Sequence, residues 1–201
     1  MISKKQLEIF LERCGPFESP KMKLEQYVTP TPIAADLLNL AALKGDIVGR
    51  KVFDLGCGTG RLGIGAALLG AEEVIGFDID CEAIDAASRN AEALDAVVTW
   101  RCLDASAIDE TCDTVVMNPP FGVKSKGADR PFIKTALKVG KVIYTMHKTT
   151  TRDFIIEYIK RCGGAVTDLA QVKFDLPYSY SFHKKRIKRI DVDIYRIERR
   201  D

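Results

Sequence analysis

The chain has 201 residues, with 30 Lys and Arg against 28 Asp and Glu for a net charge of +2. A hydrophobic content of 46% and a charged content of 29% describe an ordinary globular domain able to bury a substantial core, and exclude a disordered or fibrous chain. No apolar run approaches the roughly 20 residues that span a membrane, and the N-terminus leads into an amphipathic segment rather than a signal-peptide core, so a cytoplasmic protein is expected.

In chain order, residues 3–13 set Leu7, Phe10 and Leu11, with Cys14 just beyond, at helical spacing. Gly15-Pro16 through Pro20 interrupts that pattern. A second helix is predicted over 32–43, with Thr31 as its cap and Pro32 as its first residue. Between the two lie Gln26, Tyr27 and Thr29, which read either as a lid over a cofactor or as an extension that packs on a sheet.

Residues 52–60, Val-Phe-Asp-Leu-Gly-Cys-Gly-Thr-Gly, read as a strand running into a glycine-rich turn, followed by a helix over 62–69. Glycines let a ligand approach the backbone, and the helix start presents amide groups to it. The spacing is tighter than a dinucleotide fingerprint, and Asp54 at the strand end would repel a pyrophosphate. It suits a cationic ammonium, as at the amino end of S-adenosylmethionine. A second strand over 73–80 ends in acids. Asp78 stands where ribose hydroxyls are taken in a βαβ unit, and Asp80 caps a helix over 82–94. A third strand over 97–103 leads to Asp104-Ala105, which either hold the cofactor's adenine or form a plain turn.

The stretch around which these pieces gather is Met117-Asn118-Pro119-Pro120-Phe121-Gly122, which closes a fourth strand over 114–117. Two prolines cannot donate to a sheet ladder, so the strand stops there, and Asn118 is held extended before Pro119. A stiff polar amide at the carboxyl end of a strand sits where open α/β sheets bind ligands. The chemistry it suits is methylation of an aromatic exocyclic amine. The Asn118 side-chain oxygen and the Pro119 carbonyl can each accept one amine hydrogen, which localises the lone pair towards a methyl donor. Pro120 stiffens the turn, and Phe121 is placed to stack on the base. The rival reading is a strand that ends in a proline turn with a buried phenylalanine.

The segment after it, 122–130, is polar and basic, and its Lys124, Lys126 and Arg130 read either as phosphate contacts or as a solvated loop. A helix over 131–138, a strand over 141–146 and a helix over 151–161 follow, with His147 read as structural. Strands are predicted over 166–176 and 190–197. Their connection carries Tyr178, Tyr180, Phe182, His183, Lys184, Lys185 and Arg186, an interleaving of rings and cations suited to nucleic acid. From Pro177 onward eight Lys and Arg face four Asp and Glu, so the basic surplus of +4 is local and the rest of the chain sums to −2. The six cysteines show no C-x-x-C pair and are expected as reduced thiols, and neither they nor the two histidines are spaced as metal ligands.

These residues resemble a class I S-adenosylmethionine-dependent methyltransferase with the Asn-Pro-Pro-Phe amino-methylation motif. More narrowly, the chain is similar to the methyltransferase-like protein 5 family of ribosomal RNA adenine-N6 methyltransferases. The similarity runs through Leu24-Glu25-Gln26-Tyr27, Asp54 to Gly58, Gly76 to Asp80 and Met117 to Gly122. It continues in Lys134 to Leu137, His147-Lys148, Asp175-Leu176-Pro177 and Phe182 to Lys185. The resemblance implies Asn118, Pro119, Pro120 and Phe121 as catalytic residues. It implies Gln26, Tyr27, Thr29, Asp54, Gly56, Gly58, Thr59, Arg61, Asp78, Asp104 and Ala105 as cofactor contacts. Thr59 and Arg61 depart from the more familiar family residues, so their contacts rest mostly on backbone atoms. RNA contacts are implied at Lys124, Lys126, Phe182, His183, Lys184, Lys185 and Arg186. S-adenosylmethionine is the implied cofactor, ribosomal RNA the partner, and no metal is expected. Eukaryotic members also use a small zinc-binding activator protein.

The expected fold is a single Rossmann-like α/β domain. It has a seven-stranded, mostly parallel sheet whose last strand is antiparallel and hairpin-paired with its predecessor. Residues 1–45 form an N-terminal helical extension and cofactor lid, and 46–201 the catalytic core. Two rivals stand beside RNA adenine methylation: methylation of a protein glutamine amide, which uses a similar Asn-Pro-Pro signature, and an RNA-binding module on a dead methyltransferase fold.

Overall fold

The computed structural model describes residues 2–122, 125, 127–176 and 188–200. Seven strands form one sheet in the order β3-β2-β1-β4-β5-β7-β6. They are β1 (Lys51–Leu55), β2 (Glu73–Asp78), β3 (Thr99–Cys102), β4 (Cys112–Met117), β5 (Gly140–Lys148), β6 (Gly164–Leu176) and β7 (Lys188–Arg199). The first five run parallel, and β7 is antiparallel to both β5 and β6. This is the architecture the sequence predicts. No helix among the described residues is long and apolar enough to cross a membrane.

Period-two alternation along the strands divides the core. Val52, Val74, Val116, Tyr144 and Ile194 face one side, where α1 (Lys4–Leu11), α2 (Thr31–Leu43), α3 (Arg61–Leu68) and α4 (Cys81–Glu92) pack. Phe53, Ile75, Val115, Met117 and Ile143 face the other, against α5 (Arg130–Val139) and α6 (Arg152–Arg161). A buried polar triad ties the first side together. Tyr144 donates to Asp46 at 2.6 Å, and Arg196 Nε donates to Asp46 at 2.8 Å and to the Tyr144 hydroxyl at 3.0 Å. Each group therefore keeps a partner away from water.

Two local expectations are corrected. Helix α2 begins at Thr31 rather than Pro32. The amides of Ile33 and Ala34 bond to the Pro30 carbonyl, and Thr31 supplies no side-chain cap. The cysteines are not all free thiols: Cys81 and Cys102 form a disulfide, with Cα atoms 5.1 Å apart. Strand register is the cause. β2 and β3 align Asp78 with Cys102, and α4 starts three residues after Asp78, so two cysteines distant in sequence meet at one corner.

The topology also fixes where a ligand can sit. The chain leaves β1 towards β2 and β3, then returns to place β4 on the opposite side of β1. Crevices at such reversals, beyond the carboxyl ends of the strands, are where open α/β sheets hold ligands.

Candidate active site

At that reversal Leu55 is in register with Phe77 on one side and with Met117 on the other. The glycine turn, Asp78 and Asn118 therefore emerge at one level. They border a cavity of about 350 Å³, within the range of about 300–1,000 Å³ typical of small-molecule sites.

The turn is built by left-handed backbone. Gly56 and Gly58 have φ of +67° and +53°, a region L side chains avoid. Aromatic rings also close on both: a Cβ at Gly56 would lie 3.0 Å from Phe132, and one at Gly58 2.8 Å from Phe17. Phe17 and Phe132 are cavity walls that motif reading did not single out. The signal for Phe132 was its place just after the loop that follows Asn118.

Acids mark one end of the cavity. Asp54 is 1% exposed and accepts the Gly63 amide at 2.7 Å. Burial pushes its carboxyl up to about 7, against the pull of that amide and with a further push from Asp78. Asp78 accepts the Gly58 amide at 2.8 Å and the Asp80 amide at 3.0 Å, and burial raises its carboxyl too. Asp104 is exposed at the rim and caps a short 3-10 turn. The Ser106 hydroxyl at 2.7 Å and amide at 2.8 Å hold its carboxyl below the usual range. Ala105 lies beside it.

The N-terminal segment covers this end. All of Gln26, Tyr27, Thr29, Asp54, Gly56, Gly58, Thr59, Arg61, Asp78, Asp104 and Ala105 line this cavity. Two of them turn their polar groups to the protein. Gln26 donates to Asp80 at 2.8 Å and accepts from the Lys21 amide at 2.6 Å. Arg61 donates to the Thr29 carbonyl at 2.5 Å and the Cys14 carbonyl at 3.0 Å, pinning the segment to the start of α3. Thr59 holds α4 through its carbonyl, which accepts from Asn90 at 2.9 Å.

Asn118, Pro119 and Pro120 line the same cavity. Asn118 Nδ2 donates to Thr29 Oγ1 at 2.9 Å, while its Oδ1 is buried and has no partner among the described residues. Phe121 does not line this cavity. Its ring packs on Tyr27 at 5.5 Å and Phe174 at 5.7 Å, with Lys148 5.9 Å from its centroid. His147 is 2% exposed between Asp129 at 3.3 Å and Thr145 at 3.0 Å, away from the cavity, as its structural reading expects. Arg130 opens α5 and lies over the Phe154 ring at 4.8 Å. Lys124, Lys126, Phe182, His183, Lys184, Lys185 and Arg186 lie outside the described residues.

Residues 33–141, more than half of the chain, match the family described as the methyltransferase small domain. The rRNA N(6)-adenosine-methyltransferase METTL5 of Danio rerio is 41% identical over 96% of this chain and 97% of its own length. The chain belongs to the METTL5 family of methyltransferases. An uncharacterised protein of Methanocaldococcus jannaschii is 42% identical to this family member over 99% of the chain and 95% of its own length. A Pyrococcus horikoshii crystal structure, described as a candidate RNA methyltransferase, superimposes with a TM-score of 0.92 at 42% identity, covering both chains completely.

Proposed function

We propose that this METTL5-family enzyme transfers the methyl group of S-adenosylmethionine to the N6 amine of an adenosine in structured RNA, with small-subunit ribosomal RNA as the substrate. The observation that carries the reading is Asn118 Oδ1, a buried acceptor with no partner at the edge of the cavity. An orphaned buried acceptor costs about 1–3 kcal/mol unless something fills it. An exocyclic amine, rich in hydrogens, is the complementary group.

The acids and the glycine turn of the cavity fit the cofactor. Burial opposes ionisation of the Asp54 carboxyl, and an ammonium beside it would supply the counter-charge. When bound, S-adenosylmethionine brings a methyl carbon made electrophilic by its sulfonium. The chain's own residues then position and polarise. Asn118 Oδ1 and the Pro119 carbonyl accept the two amine hydrogens, which turns the nitrogen lone pair into the cavity. Pro119 and Pro120 keep that pair of acceptors rigid. The methyl carbon would exchange its bond to the sulfonium sulfur, which would leave as a neutral thioether with the bonding pair, for a bond to the amine nitrogen, whose surplus proton would pass to water. Of the eleven cavity-lining residues named above, all but Thr29 act as the cofactor contacts, and Lys124, Lys126 and the 182–186 stretch hold the RNA. Residues 1–45 serve as extension and lid to the core.

The test is mass spectrometry of ribosomal RNA nucleosides from cells with and without the gene, mapped to position. Loss of one N6-methyladenosine is the expected result, and an unchanged profile would overturn the proposal. Methylation of a protein glutamine is the second reading, resting on the shared Asn-Pro-Pro signature. Labelled cofactor incubated with RNA and, separately, with ribosomal proteins discriminates the two by where the label lands.

A further inference from the structure

An asparagine amide presents two unlike ends, and only one of them suits an amine. Turned by half a rotation, Asn118 would point Nδ2 hydrogens at the amine's hydrogens and repel it. What sets the rotation is therefore part of the machinery. In this structure the Nδ2 end is taken by Thr29 Oγ1 at 2.9 Å, and the Oδ1 end is the one left unpaired at the cavity.

Thr29 is itself held from three directions. It is 8% exposed, its carbonyl receives Arg61 Nη1 at 2.5 Å, and Pro30 behind it is the N-cap of α2. Two residues earlier, Tyr27 packs on Phe121, three residues beyond Asn118. The two segments are thus zipped by a polar contact and an aromatic one. We propose that Thr29 is a positioning residue: its hydroxyl anchors the Asn118 side chain, so that the amine-accepting oxygen is held at the cavity only when the N-terminal segment is seated. The proposal rests on the reading of Asn118 given above and adds a residue whose cavity-lining place alone suggests a cofactor contact.

Two variants separate the roles. Thr29→Val keeps the shape and removes the acceptor, and Thr29→Ser keeps the hydroxyl. With the full chain and RNA substrate, Thr29→Val should lower kcat by about 10- to 100-fold. Its Kd for S-adenosylmethionine by titration calorimetry, and its KM for RNA, should change by no more than about threefold. Thr29→Ser should restore at least about a third of kcat. A second readout needs no turnover: the Asn118 side-chain 15N–1H pair, recognised by its loss in Asn118→Ala. It should be protected from exchange in the wild type and in Thr29→Ser, and lose that protection in Thr29→Val.

A kcat for Thr29→Val within about twofold of wild type overturns the proposal, as does a Thr29→Ser variant as slow as Thr29→Val. A loss confined to cofactor Kd makes Thr29 a cofactor contact and also overturns it. Should the wild type leave RNA unmethylated, the functional reading fails, and the amide exchange arm alone decides the Thr29 contact. A Thr29→Val chain that fails to fold leaves the decision to the Ser variant and the wild-type amide, whose rapid exchange would overturn the proposal.

Discussion

Leu55 and Met117 end adjacent parallel strands as register partners, so the residues that follow them, Gly56 and Asn118, leave the sheet side by side. On the proposed reading one of these opens the turn that faces the methyl donor, and the other carries the acceptor for the amine. Most of what the site is expected to do follows from that proximity.

Removing the Asn118 acceptor should strike chemistry rather than binding. Asn118→Ala is expected to lower kcat by at least about 10²–10³-fold, the usual cost of deleting a preorganised polar group. Its Kd for S-adenosylmethionine should stay near the wild-type value, because Asp54, Asp78 and Asp104 are untouched. Parallel calorimetry and transfer assays check this, and a large loss of cofactor affinity would contradict it.

Asp54 predicts a pH dependence. Its carboxyl is pushed up to about 7 by burial, above the ordinary 3.8. A raised folded-state value stabilises the protonated fold, so this contribution is fully present below about 4 and is lost as pH rises through about 7. An ammonium beside Asp54 favours the ionised form, so cofactor binding at pH 6 should release part of a proton. Calorimetry in buffers of different ionisation enthalpy should detect the release, and Asp54→Asn should abolish it. A wild type that binds with no proton release between pH 5 and 7 would refute this account of Asp54.

The Cys81–Cys102 bridge closes a loop of 21 residues in sequence, which corresponds to about 3 kcal/mol of stabilisation. Cys102→Ser, or reduction, should lower the denaturation midpoint accordingly. Thiol titration of the unreduced, denatured protein should find four free cysteines rather than six. Six reactive thiols would show the bridge to be absent in solution.

The triad of Asp46, Tyr144 and Arg196 is a stability element remote from the cavity. Asp46→Ala strands the Tyr144 hydroxyl and Arg196 Nε, and should cost about 2–4 kcal/mol. Arg196 retains Glu198 at 2.6 Å, which keeps the loss below that of a fully orphaned charge. Urea unfolding measures it, and cofactor affinity below the transition should be unchanged.

Much of this was legible in the residues. Alternating apolar strands, a glycine turn after Asp54 and a proline stop after Asn118 specify a doubly wound sheet, because each is a local rule that agrees with its neighbours. The acids of the cavity were legible because they sit at strand ends. What could not be read depends on register or on distant contacts. Asn118 meets Thr29 across 89 positions. Cys81 meets Cys102 only because β2 and β3 align. Gln26 spends its amide on Asp80, and Phe121 turns into an aromatic cluster, since burial competes with any local preference.

The strand order divides labour. Asp54, Asp78 and Asp104 are carried on or just after β1, β2 and β3, whereas Asn118 follows β4 across the reversal. Alterations after β4 can re-aim the enzyme at another amine while its hold on the common reagent is inherited unchanged. A scaffold divided in this way can diversify its targets one half at a time.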